Sequence, residues 1–237
     1  MKRAIVGLVA ALALSMFGGI AAASGPYPSG QVGLDISWPN CAVPLPESDF
    51  GIIGVTGGTV YSRNPCMVGE AKAFGEHLSL YVNTGWNEHS RFRNWHSPRE
   101  CARRDNICLA YNYGFNSTIR AFNYATSNGV TSDMWWLDVE TLNTWSRDIE
   151  QNKASIQGAY DALKGKNVPT VGVYSTGYQW AVITGGWRNG WPNWVATGLA
   201  GPEQARKFCT GNRFSGGPTW MVQYIPPRLN LDHDLAC

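Results

Sequence analysis

Eight short apolar runs recur along the chain, and no tight two-residue turn joins any of them to the next. They are Gln31–Ser37, Phe50–Val55, Leu78–Asn83, Ile107–Tyr113, Met134–Glu140, Pro169–Ser175, Pro192–Ala196 and Thr219–Ile225. Antiparallel hairpins need tight turns such as Asn-Gly between strands. Helical or irregular crossovers, by contrast, return the chain for parallel pairing. Helical patterns fall at Val68–His77, Ile119–Gly129, Arg147–Lys164, Gln179–Ile183 and Glu203–Phe208. The pattern predicts an α/β fold, a TIM-like (β/α)8 barrel in a single domain. In this reading Ile107–Tyr113 is the fourth strand, and Asn116-Ser117-Thr118 caps the helix after it. The triplet also fits a glycosylation sequon, but the cap is the preferred reading.

A barrel of this kind builds its active site from the loops at the carboxyl ends of its strands. Asp35, Thr56, Asn83, Tyr111 or Tyr113, Asp138, Glu140, Tyr174, Trp194 and Gln223 all fall at that end. The run Met134-Trp-Trp-Leu-Asp-Val-Glu140 is the most informative. Side chains alternate along a strand, so Trp136, Asp138 and Glu140 share one face, and Trp135, Leu137 and Val139 share the other. Two carboxylates about 7 Å apart on one strand face are costly to bury unless one is paired or protonated. Pushing two carboxyl pKa values apart is also what acid-assisted glycoside hydrolysis needs.

Residues 1–23 read as a cleaved secretory leader. Lys2 and Arg3 precede an uncharged run that closes on Ala21-Ala22-Ala23-Ser24. A short tail, 24–31, then leads into the barrel at 32–237. The 19 basic residues fall to 17 once Lys2 and Arg3 are set aside, level with the 17 acidic ones. Nucleic-acid binding, which needs clustered Lys and Arg to neutralise phosphates, has no support in that balance. The exported remainder is read as a monomer with no membrane attachment. The six cysteines form no C-x-x-C pair, and export favours disulfides over zinc. Sequential pairing, Cys41 with Cys66, Cys101 with Cys108 and Cys209 with Cys237, closes the shortest stretches. Eleven tryptophans exceed what a core requires; they fit either sugar-stacking surfaces at a cleft or a Trp-rich core.

Several motifs, taken in order, resemble family 25 glycoside hydrolase lysozymes. Gly33-Leu34-Asp35-Ile36-Ser37-Trp38 resembles that family's opening strand, and Leu137-Asp138-Val139-Glu140 its carboxylate strand. Val173-Tyr174-Ser175, Trp194-Val195-Ala196, Gln223-Tyr224 and Leu231-Asp232 resemble the later strands and the final acid. The resemblance implies Glu140 as general acid, Asp138 beside the anomeric carbon, and Asp35 and Asp232 as the remaining acids of the cleft. The expected substrate contacts are Tyr174, Trp194 and Gln223 of these motifs, with Asn83, Tyr111 and Tyr113 from the other strand ends. The resemblance implies a cell-wall glycan such as peptidoglycan as the polysaccharide partner, and no cofactor. Two departures stand out. The family's second strand usually ends in a glutamate-bearing turn, where this chain has Thr56-Gly57-Gly58. Two runs here, Leu78–Asn83 and Ile107–Tyr113, compete for the family's single Tyr-His-Phe strand, and Tyr111-Asn112-Tyr113 is the closer match.

Two other functions compete with hydrolysis. A barrel lacking the acid after its second strand could bind cell-wall glycan and cut little of it. A metal-dependent hydrolase could draw on Asp35, Asp138, Glu140, Asp232, His233 and Asp234, but no H-E-x-x-H or paired-histidine spacing supports zinc. No G-x-S-x-G nucleophile motif occurs.

Overall fold

A computed structural model describes residues 25–198, 201–226 and 231–237; the leader expected at 1–23 lies outside them. The strands β1 (Val32–Ile36), β2 (Phe50–Gly54), β3 (Leu78–Asn83), β4 (Met134–Asp138), β5 (Thr170–Ser175), β6 (Asn193–Ala196), β7 (Thr219–Tyr224) and β8 (Asp232–Ala236) pair in chain order and close into a barrel. The helices are α1 (Met67–Phe74), α2 (Asn106–Ser127), α3 (Ile149–Gly165), α4 (Gly177–Thr184) and α5 (Pro202–Arg206).

The eight-stranded β/α barrel is as expected, but one strand differs in identity and one in direction. Ile107–Tyr113 is not a strand. It opens α2, whose N-cap Asp105 accepts a hydrogen bond from Cys108 N. The buried positions Leu109, Ala110, Tyr113, Ser117, Ala121 and Ala125 follow helical spacing along α2. A short apolar run cannot by itself distinguish helix from strand, and here the period of the full segment decides. Asn116-Ser117-Thr118 accordingly lies mid-helix instead of capping it, and the Asn116 amide donates to Asn112 O and Ser97 O. The eighth strand comes instead from Asp232–Ala236, antiparallel to both β7 and β1. A parallel return needs a crossover of a dozen or more residues, and the stretch 225–231 is too short to supply one.

Alternation divides the apolar side chains into two layers. Leu34, Ile36, Leu137 and Val139 point outward and pack with Ala121, Ile156 and Leu163 of the surrounding helices. Phe50, Ile52, Met134, Trp136, Tyr174, Trp194 and Met221 fill the barrel interior. Tyr27 stacks on Phe50, ring centroids 3.8 Å apart, from the segment preceding β1.

The disulfides pair sequentially, Cys41–Cys66, Cys101–Cys108 and Cys209–Cys237, with Cα atoms 5.3 to 5.5 Å apart. The third spans a sequence separation of 28 and ties the segment after α5 to the end of β8, the strand that carries Asp232. Replacing both Cys209 and Cys237 by Ser is expected to lower unfolding stability by about 2 to 4 kcal/mol, through the added freedom of the unfolded chain. Urea denaturation under non-reducing conditions checks this.

Candidate active site

Inward positions near the carboxyl ends of five strands deliver polar side chains to one mouth. Asp35 comes from β1, Asn83 from β3, Asp138 from β4, Tyr174 from β5 and Gln223 from β7. Glu140 follows β4 by two residues. Because β8 runs antiparallel, its first residue, Asp232, reaches the same mouth and sits opposite Asp35 in the β1–β8 register.

Two hydrogen-bond chains hold the acids. In the first, Thr56 Oγ1 donates to Asn83 Oδ1 at 2.6 Å and accepts from Asn83 N at 3.1 Å. With its oxygen taken, the Asn83 amide must present its NH2 group, which donates to Asp138 Oδ2. Asn143 Nδ2 approaches the other oxygen, Oδ1, at 3.5 Å. Thr56, at the position where the resemblance leads one to expect an acid, orients the amide that holds Asp138. In the second chain, Tyr174 OH donates to Gln223 Oε1 at 2.8 Å. Gln223 Nε2 donates to Asp35 Oδ2 at 2.8 Å and reaches Asp232 Oδ2 at 3.4 Å.

Glu140 sits on a turn fixed through its backbone. Its carbonyl accepts from Trp145 Nε1 at 2.8 Å and from Asn143 N at 3.1 Å. The neighbouring Thr141 donates both N–H and hydroxyl to Gln179 Oε1 on α4, at 2.5 and 2.9 Å.

All four acids bind protons more tightly than ordinary carboxylates. Burial pushes Asp35 up to about 8, helped by the charge of Asp232 and opposed by the donor Gln223. Burial, then the charge of Glu140, holds Asp138 well above the usual range, against hydrogen bonds from Asn83 and Asn143. Glu140 is raised by burial and by Asp232, against a hydrogen bond from Gln179. Burial raises Asp232. Burial is the cause common to all, and at Asp35, Asp138 and Glu140 repulsion by a neighbouring carboxyl adds to it. No ion pair among the described residues reaches them.

The expected substrate contacts are partly redistributed. Tyr111 and Tyr113 lie on α2, away from the mouth. Tyr111 OH donates to Asp161 on α3 at 2.7 Å, and Tyr113 packs edge-on against Trp86 and Tyr61. Both were placed at the mouth by reading a strand where the chain forms a helix. Trp194 is 1% exposed in the barrel centre and offers no face to a sugar; its Nε1 donates to Asp234 at 2.6 Å. Tyr174, Gln223 and Asn83 do reach the mouth, but their polar groups are engaged with the acids and with each other. The tryptophan surplus is largely core: Trp86, Trp135, Trp136, Trp180 and Trp194 are fully buried. The exposed aromatics Trp38, at 49%, and Tyr178, at 76%, follow β1 and β5 directly. Like Asn143 and Gln179, they could have been found by looking one to five residues past each strand end. Among the described residues no group of three His, Cys, Asp or Glu side chains is arranged to hold a metal ion, and His233 packs beside Tyr224.

Thr56→Val keeps the volume but removes both roles of the hydroxyl, leaving a buried amide unanchored. We expect a loss of about 1 to 3 kcal/mol in stability. Urea denaturation measures it, and a stability equal to wild type would contradict the orienting role.

Residues 108–208 match the family model described as "Lysozyme-like protein 1". The "Probable GH family 25 lysozyme 5" of Dictyostelium discoideum is 39% identical over 83 residues, 34% of this chain and 38% of that protein. The chain thus spans little more than a third of the length of the curated relatives it matches. Among solved structures, the glycosyl hydrolase 25 virulence factor GHIP of Streptococcus pneumoniae superposes with a TM-score of 0.53 at 14% identity, covering 87% of both chains. The lysozyme of Streptomyces coelicolor gives 0.50 at 18% identity, covering 88% of this chain and 92% of that one. At such identities these two establish the shared barrel alone. The chain is therefore similar to lysozyme-like proteins in sequence over residues 108–208, and to family 25 glycoside hydrolase lysozymes in the fold of its barrel.

Proposed function

We propose that this protein is a secreted, lysozyme-like glycoside hydrolase that cuts a β-linked amino-sugar polymer such as peptidoglycan. In this reading residues 1–23 are a cleaved leader, 32–237 form the catalytic barrel, and the mature protein acts outside the cell as a monomer. One observation carries the reading: Glu140, Asp138, Asp35 and Asp232, from three strands and one strand-end turn, converge on one barrel mouth. Glu140 is the more exposed of the β4 pair, and burial together with the charge of Asp232 raises its pKa, so that it holds its proton above the ordinary glutamate range. It donates that proton to the glycosidic oxygen as the bond breaks. Asp138 lies on the same face, and its two amide donors, Asn83 and Asn143, favour its ionised form, in which it stabilises the positive charge growing at the sugar carbon. Asp35 and Asp232 complete the acidic wall of the cleft.

A glycan-binding module that hydrolyses little is the second reading. Thr56 favours it, because a hydroxyl replaces an acid at the end of the second strand. Two measurements on one preparation of purified peptidoglycan separate them: reducing-end release, and retention of the protein on the insoluble wall. Release with turnover supports the hydrolase. Retention without release supports the binder. Loss of release on adding a chelator would instead favour a metal-dependent reaction.

A further inference from the structure

Asp234 lies one inward position deeper than Asp232 on β8, opposite Gly33 of β1 and Gln223 of β7. Its relative exposure is 0%. One oxygen, Oδ1, accepts from Trp194 Nε1 at 2.6 Å. The other, Oδ2, is buried with no donor directed at it. Its side chain is instead in hydrogen-bond contact with the carboxyl of Asp35, whose own Oδ2 is occupied by Gln223. The titratable groups that face it are Asp35, Asp232, Tyr27 and Tyr224, and none is a cation.

Two carboxyls in contact inside a dry barrel cannot both be anions, and a buried oxygen without a donor costs about 1 to 3 kcal/mol. A single proton on Asp234 Oδ2 resolves both problems, since the resulting O–H can donate to Asp35. The proton belongs on the deeper member, because Asp35 borders the cleft and already has the Gln223 donor.

We infer that Asp234 is a permanently protonated carboxylic acid that donates its hydrogen to Asp35, and is thereby a positioning residue for the cleft. The location of the proton does not depend on the hydrolase reading above; the positioning role does. Burial and the charge of Asp35 act in the same direction, holding Asp234 well above the usual carboxylate range.

The test reads the two claims separately. In the unfolded chain Asp234 ionises near its ordinary value, about 4. Above that, the native state carries one more proton than the unfolded state. Stability from this residue is therefore complete below about pH 4 and is lost as pH rises. Urea unfolding of wild type and Asp234→Asn between about pH 5.5 and 7.5 should show it. The folding constant of the wild type should fall about tenfold more per pH unit than that of the variant, whose amide cannot ionise. Parallel curves would mean that Asp234 is already an anion in the native state, and would overturn the inference. This holds whether or not the protein hydrolyses anything.

The second arm follows turnover against pH. Asp234→Leu removes the donor, so Asp35 should ionise at higher pH and the acidic limb should move upward. Asp234→Asn, whose NH2 replaces the O–H, should bring the limb back. A limb unmoved in Asp234→Leu would overturn the positioning role. If wild type releases no reducing ends, the hydrolase reading and the positioning role fall together, and the unfolding comparison alone decides where the proton sits. Should Asp234→Leu fail to fold, the acidic limb of Asp234→Asn decides: a profile displaced from wild type would show that a neutral donor does not replace Asp234, and would overturn the role.

Discussion

Glu140→Gln is expected to lower turnover of peptidoglycan by about 10² to 10⁴, the contribution of a well-placed general acid. Glutamine keeps the size of the side chain and can still receive the hydrogen bond from Gln179, but it has no proton to give the leaving oxygen. Retention on insoluble cell wall should survive, because the fold and the rest of the mouth are unchanged. The direction of the pH dependence follows from the same group. Glu140 must be protonated to act, and its pKa is raised by burial and by Asp232. Turnover should therefore persist above the ordinary glutamate range and fall as pH rises through the raised pKa. The check is initial rates of reducing-end release across pH, for wild type and variant. A variant as active as wild type would remove Glu140 from the chemistry.

Trp136→Ala is expected to cost about 3 to 5 kcal/mol of stability. Trp136 is fully buried at the centre of the barrel, one inward position below Asp138 on β4. Its ring lies 5.8 Å from that of Trp194, and its Nε1 donates to Ser79 Oγ at 3.3 Å. Gly172 on β5 leaves room for it: a Cβ there would come within 2.3 Å of the indole. Thermal or urea denaturation at pH 5 measures the loss. The catalytic consequence is indirect, because Trp136 supports the floor on which Asp138 and Asp35 stand.

The acid strand was legible because alternation is a local property. Placing Trp136 and Asp138 on one face, and Trp135 and Leu137 on the other, requires only the pleat of a single strand. The pairing of Cys209 with Cys237 was legible for a similar reason: it closes a short separation within one end of the chain. Ile107–Tyr113 was not, since seven residues of mixed period fit either structure. What makes them helical is the continuation through Ala125 and the packing of α2 on α3, where Tyr111 meets Asp161.

By itself the sequence determined which positions alternate, which strand ends carry carboxyls and where crossovers are long enough for parallel pairing. These depend on backbone geometry within one element. Only the tertiary structure decided what the polar groups at the mouth do. Asn83 turns its amide toward Asp138 because Thr56, 27 residues away, occupies its oxygen. Asp232 reaches the mouth because the short 225–231 connection forces β8 to run antiparallel. Trp194 serves Asp234 instead of a sugar because the closed sheet sets β6 and β8 on either side of β7, with both side chains turned inward. Hydrogen-bond partners and local dielectric are properties of the closed sheet, set by residues up to 188 positions apart, as Asp35 and Gln223 are.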